Sequence, residues 1–447
     1  MTMKRIWMTL LSLCAIPVFA FEAADYSITD VSAKSRAPWQ TLIDVDFTLV
    51  APDGAPADAL VQVGIVASNG CERLVLSPAS LHAPLAKPGR NRFIWDASKT
   101  YAGRTLAHVR FYLSVADVNP EKAPYFTLDM RTGERNWYPA DFASRLSGNN
   151  FYKTAFMPFR YIPATTSDAW KNAHDGQDFF MMGSPTNEPY RLASDAAREA
   201  YVPIRLTKGF WMGVYPVTAF QIESFGVKRT YAGDGDTAAA RGACAHYSAV
   251  RGRDGADSGF CFGKDVDARG WPAVDPQSFI GKLRTLTGLC VDFPTDAQWE
   301  YACRAGTTNA YWFGIENIWQ GSNSGRPGPS RTLYVGGQAP NAWGLYDMVG
   351  CVHNWTTTLG KYANGDNWVQ SAADDPTGPV AENGSPTRIT RGSHFSANGP
   401  NGTDTLGNEI KEVRFRVYRS AYRYPQNSAS GDCEWDLIGF RLCIPEE

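Results

Sequence analysis

The sequence predicts an α+β chain in two parts. A small all-β sandwich spans residues 21–118, and an irregular α+β domain spans residues 155–447, with a connector at 119–154. Three observations predict this. In the first part apolar residues alternate with period two, the mark of half-buried strands. In the second, capped helical stretches stand between long segments rich in Gly, Asn and Pro. Across its 447 residues the chain has 41 Gly and 14 Trp with only 20% charged residues, a balance unlike that of a helical bundle.

The elements follow in order. Residues 1–20 read as a signal peptide: Lys4 and Arg5, an apolar run from Ile6 to Phe19, and a small-x-small site ending at Ala20. The run is too short for a membrane span, so the mature chain is expected to be secreted or periplasmic, without stable membrane insertion. Ile43, Val45, Phe47 and Leu49 define one strand. Val61, Val63 and Ile65 define another, and Val109, Phe111, Leu113 and Val115 a third. Pro52-Asp53-Gly54, Ser68-Asn69-Gly70 and Lys87-Pro88-Gly89 supply turns. Six or seven strands over about a hundred residues suit a sandwich. The connector holds a short hairpin around Arg131-Thr132-Gly133. Helices are expected at about 218–227, 276–287 and 296–304. The last has Thr295 or Asp296 as its cap and Gly306 as its left-handed terminus.

The formal charge is −2, with 43 basic against 45 acidic residues, so nucleic acid is not an expected partner. Cleavage after Ala20 removes Cys14 and leaves eight cysteines: 71, 244, 261, 290, 303, 351, 433 and 443. An even number in an exported chain permits disulfides. Cys244 and Cys261 bracket a Gly/Arg loop that a local bond would close. The absence of any Cys-x-x-Cys pair speaks against a zinc ribbon.

Seven segments then stand in a telling order: Phe180–Ser184, Gly209–Thr218, Phe293–Ala302, Pro340–Gly350, Arg388–Gly392, Arg419–Arg423 and Gly439–Leu442. Together they resemble the formylglycine-generating enzymes, or sulfatase-modifying factors, over about residues 155–447. The resemblance implies an irregular fold related to C-type lectins. It also implies oxidation of a substrate cysteine by copper held on a Cys-x4-Cys pair after an Arg-Gly-Gly-Ser strand. Here that stretch reads Arg391-Gly392-Ser393-His394-Phe395, and no cysteine lies between Cys351 and Cys433. Soft thiolates are what Cu(I) requires, so copper is not expected. Iron is not expected either: the iron-using branch takes a His-rich helix, and the six histidines here (82, 108, 174, 246, 353, 394) are scattered.

The family also binds calcium. By position, Asp347 and Asn354 would give side-chain oxygens, and Gly350 and Val352 carbonyls, a hard-oxygen set suited to Ca²⁺. Asn354 stands where the family has Glu, which weakens the set. A tight loop held by Asp347 hydrogen bonds is the alternative. A second calcium site begins at Asn317 and Ile318, but Ser322 to Gln338 contains no acid to complete it. The resemblance places Trp355 and Tyr422 along the substrate groove. On the segments that flank the groove, His353 replaces the family's first Trp and His394 its Ser; with Arg423 they are the catalytic candidates, the two histidines as an acid/base pair or a weak metal site. Two separately solvated or hydrogen-bonded rings are the plainer reading of the histidines, and framework is an equal reading of Arg423 and Tyr422. A Cys303–Cys443 disulfide is also implied, although Cys443 comes one residue late and a shift of one on a strand changes its face. The function expected first is binding of a polypeptide or a glycan. An oxidoreductase with a non-standard site and a structural envelope protein are the alternatives.

Overall fold

The computed structural model describes residues 21–36, 41–70, 72–77, 80–106, 108–118, 123–146, 149–195, 198–227, 247–252, 271–314, 334–360, 371–378, 387–394, 402–403, 409–410, 416–427 and 438–446. The signal segment, Cys71, Cys244, Cys261, Cys433 and the expected second calcium segment lie outside them. The chain divides into two units, Met1–Lys122 and Ala123–Glu447.

In the first unit, alternating apolar residues build two antiparallel sheets. One has the order Ser27–Ser35, Leu42–Val50, Gly89–Asp96, Leu81–His82; the other runs Glu72–Leu74, Val61–Asn69, Val109–Val118. Val45 pairs with Phe93 across the first sheet. The inward face of Val109–Val118 closes on it, with the Phe93 and Phe111 rings edge to face at 5.6 Å. Residues from both sheets therefore share one core, which makes the unit a sandwich.

The second unit is α+β and loop-rich. Its largest sheet is antiparallel, in the order Cys443–Pro445, Phe210–Gly213, Phe156–Ile162, Tyr125–Asp129, Arg135–Tyr138. This corrects the connector. Residues 125–138 do form a hairpin, but it is the outer part of this sheet, with Phe126 and Phe159 stacked at 5.0 Å. A second sheet sets Tyr424–Asn427, Thr387–Arg391, His353–Leu359 and Ile438–Gly439 side by side.

Three helices match the sequence because their signals are local. Thr218, Ser278 and Thr295 cap Ala219–Ser224, Phe279–Thr287 and Asp296–Arg304. Each cap's side-chain oxygen accepts an otherwise orphaned backbone N–H. One detail differs: the left-handed turn after Arg304 begins at Ala305 (φ 46°), with Gly306 (φ 89°) following it. Among the described residues, no helix is long and apolar enough to cross a membrane.

The Cys303–Cys443 disulfide is not formed; both are free thiols. Cys303 lies against the Ser420 hydroxyl, and Cys443 against the Gln298 side chain, each at 3.8 Å. Gln298 and Cys303 are five positions apart on one helix, about 140° around it at 3.6 residues per turn. The two sulfurs thus meet different sides of that helix.

Candidate functional site

The site begins with a buried charge cluster that fixes one strand end. Arg391 closes strand Thr387–Arg391 and is buried under the Trp299 ring, 5.1 Å from guanidinium carbon to ring centre. Its Nε meets Asp296 Oδ1 at 2.6 Å and its Nη2 pairs with Glu300. Nη1 donates to the carbonyls of Ser420 (3.2 Å) and Tyr422 (2.7 Å). Glu300 also accepts the Gly183 N–H at 2.8 Å and the Arg304 Nε at 2.9 Å. Burial pushes the Glu300 carboxyl up, but Arg304, Arg391 and Arg423 outweigh burial and hold it below the usual range. Four of the segments behind the family resemblance converge here: Phe180–Ser184, Phe293–Ala302, the Arg391 strand and Arg419–Arg423.

Beyond Arg391 the chain turns on two left-handed residues, Gly392 (φ 81°) and Ser393 (φ 52°). Glycine is required at 392, because a Cβ there would run into the Met348 carbonyl oxygen and crowd Trp299. The Gly392 carbonyl accepts the Gly350 N–H at 2.8 Å, which docks the Asp347–Val352 loop against the turn. His394 follows, its carbonyl held by the Tyr418 hydroxyl at 3.0 Å.

This turn brings His394 to His353, the first residue of the neighbouring strand. Their ring centres are 5.1 Å apart and their planes 51° from each other. His353 is 7% exposed. A backbone hydrogen bond to Arg391 engages its ring, and Nδ1 finds no hydrogen-bond partner among the described residues. Burial, then the neighbouring His394, pushes the His353 pKa well below normal, and burial lowers that of His394 to about 4. At neutral pH both rings are therefore uncharged. An acid/base pair works best with a pKa near the working pH, so neither ring is poised as a general acid there.

The third member, Tyr424, carried no signal in the sequence reading. Its ring lies over His353 at 5.6 Å and 27°, while 43% of the residue faces solvent. Tyr424 pairs with Thr390 across the sheet, a contact between residues 34 positions apart that no short motif reveals.

Three other candidates are framework. Trp355 is a core residue, 0% exposed and edge-on to Tyr247 at 5.2 Å, so it does not line a groove. Tyr422 is buried among Tyr311, Val417 and Tyr418, with Arg416 over its ring at 5.4 Å. Arg423, 2% exposed, pairs with Asp296 at 2.8 Å and with the Arg198 carbonyl, so it cannot reach a substrate as a catalytic residue.

Asp347 has a left-handed backbone, and its carboxylate accepts the Gly336 N–H. Asn354 donates Nδ2 to the Val352 carbonyl at 2.8 Å, while its buried Oδ1 has no hydrogen-bond partner among the described residues. Among those residues no group of three or more His, Cys, Asp or Glu side chains could hold a metal ion.

The sequence profile of the sulfatase-modifying factor enzyme 1-like domain matches residues 177–445. Over 163 residues the chain is 32% identical to the formylglycine-generating enzyme of Mus musculus, which covers 33% of this chain and 37% of that one. Over 78 residues it is 44% identical to the formylglycine-generating enzyme of Mycobacterium tuberculosis, covering 14% and 26%. The matches thus span about a quarter to over a third of these relatives' lengths. Among solved structures, PvdO from Pseudomonas aeruginosa aligns over 65% of this chain and 94% of its own at 22% identity and a TM-score of 0.41.

Proposed function

The chain belongs to the sulfatase-modifying factor enzyme 1-like family, and from that premise we propose that its mature, exported form holds a polypeptide segment without oxidising it through copper. One observation carries this reading. The residues that follow the Arg391 strand contain no cysteine as far as Cys433, so the soft donors of a Cu(I) site are missing. In their neighbourhood stand two uncharged imidazoles and a half-exposed phenol ring, groups suited to contact rather than proton transfer. A glycan is the other ligand such a ring would suit. The paired histidines favour a second reading, an oxidoreductase of the same family working from a non-standard site.

The test uses protein purified from the exported fraction and a cysteine-containing sulfatase peptide. Binding is followed by fluorescence anisotropy. Mass spectrometry follows conversion of thiol to aldehyde, with copper or with iron and oxygen. The expected result is saturable binding and no mass change. Turnover lost in His394→Ala establishes the second reading, and absence of the protein from the exported fraction sinks the first.

We also propose that calcium is held by the Asp347 carboxylate, the Gly350 and Val352 carbonyls and Asn354. The partnerless Asn354 Oδ1 supports this, since a buried amide oxygen costs free energy until something satisfies it. With a single carboxylate in the set, affinity should lie in the weak range of extracellular sites, at about 10⁻⁴–10⁻³ M. Calcium chloride at about 10 mM should then raise the melting temperature by mass action, and Asn354→Asp should lower the concentration needed. An unchanged melting temperature removes the site.

A further inference from the structure

We propose that His353 and His394 together bind one divalent transition-metal ion. The His353 ring is more than nine-tenths buried, and its Nδ1 lacks a hydrogen-bond partner among the described residues. The ring also makes a hydrogen bond to the Arg391 backbone. Hydrogen bonds of this kind orient the ring in the outer shells of known metal-binding histidines. A buried imidazole nitrogen without a partner calls for a ligand, and a cation satisfies it where that nitrogen carries the lone pair.

The ring spacing suits a cation. A metal–nitrogen bond of about 2.0–2.1 Å puts the ion about 3.2 Å from each ring centre, and two imidazoles on neighbouring tetrahedral positions then have centres about 5 Å apart. The observed spacing is 5.1 Å, with the planes tilted by 51° and not stacked. Tyr424 stacks on His353, and His394 is itself partly exposed, so solvent reaches the pair from the His394 side. Water or a bound molecule would complete the coordination.

Imidazole donors choose Zn²⁺, Ni²⁺ or Cu²⁺ over calcium, and Cu²⁺ should bind most tightly. Holding a metal through two imidazoles does not depend on what polypeptide the protein binds, and metal titration needs no peptide.

The test uses the mature chain, residues 21–447, stripped by a chelator and titrated calorimetrically with zinc, nickel and copper(II) salts. One equivalent should bind, with the copper(II) complex showing nitrogen hyperfine structure from two imidazoles by electron paramagnetic resonance. His394→Ala should weaken binding at least about tenfold, with circular dichroism and urea midpoint unchanged. His353→Asn gives a second reading at the buried position. Equal affinity in the wild-type chain and folded His394→Ala, or a copper spectrum lacking two nitrogen donors, overturns the proposal.

Discussion

Replacing Arg391 with methionine is expected to cost the C-terminal unit about 3–5 kcal/mol, the usual penalty for breaking a buried ion pair from one side. Methionine fills much of the volume over Trp299, so the loss is chiefly electrostatic. Asp296 would keep Arg423, and Glu300 would keep Arg304. Each carboxylate would lose a buried partner, and the carbonyls of Ser420 and Tyr422 would lose their donors. The consequence reaches the site, because the Arg391 strand end leads directly into the turn that carries His394. Urea unfolding at pH 7 measures the cost. The sign with pH is also set. The folded Glu300 pKa lies below its ordinary value because nearby arginines outweigh burial, so its stabilisation is complete above the ordinary carboxylate range. It fades as pH falls through the folded value. The difference between wild type and Arg391→Met should therefore narrow in acid. A difference within about 0.5 kcal/mol, the range of an ordinary surface change, would show that the cluster does not hold the strand.

What could be read from the sequence was local or modular. The helix Asp296–Arg304 begins and ends as its capping box and following residues dictate, since those signals lie within one turn of each end. The strands around Val45 and Phe111 follow from period two alone. The hairpin at Tyr125–Tyr138 was also local, but its membership of a sheet was not. That depends on pairing Phe156 with Asp129 and Phe159 with Phe126, and composition does not name a strand's partner. The site divides in the same way. His353 and His394 stand out because each departs from a family segment, and the fold sets them side by side. Tyr424 escaped notice because it comes to His353 only through cross-strand pairing. Trp355 was misread, and Arg423 and Tyr422 are framework and not groove, for a related reason. Being next to a motif says which segment a residue is on, but the face it presents is settled by packing against elements far away in sequence. Cys443 shows this most simply, since one residue of offset sends its sulfur to Gln298 while Cys303 meets Ser420.

Truncating Trp355 to alanine should cost about 3–5 kcal/mol, the penalty of emptying an aromatic core site. A groove residue would behave otherwise: its loss would weaken ligand binding and leave stability nearly unchanged. The indole shares a core with Tyr247, Phe293 and Phe440, and none of its surface reaches solvent. The cavity would open under the strand that begins at His353, so the two imidazoles would lose part of their support. Trp355→Phe separates volume from polarity. The indole Nε1 is buried without a hydrogen-bond partner among the described residues, and an unmade bond of this kind costs about 1–3 kcal/mol. Phenylalanine removes that penalty while keeping most of the ring, so its net cost should be well below that of alanine. Urea midpoints of the two variants, measured beside peptide and metal binding, discriminate the roles. A Trp355→Ala chain with wild-type stability and lost peptide binding would return Trp355 to the groove. A chain destabilised by several kcal/mol, with Trp355→Phe binding as the wild type does, keeps it in the core and leaves His353, His394 and Tyr424 as the surface where chemistry or recognition is to be sought.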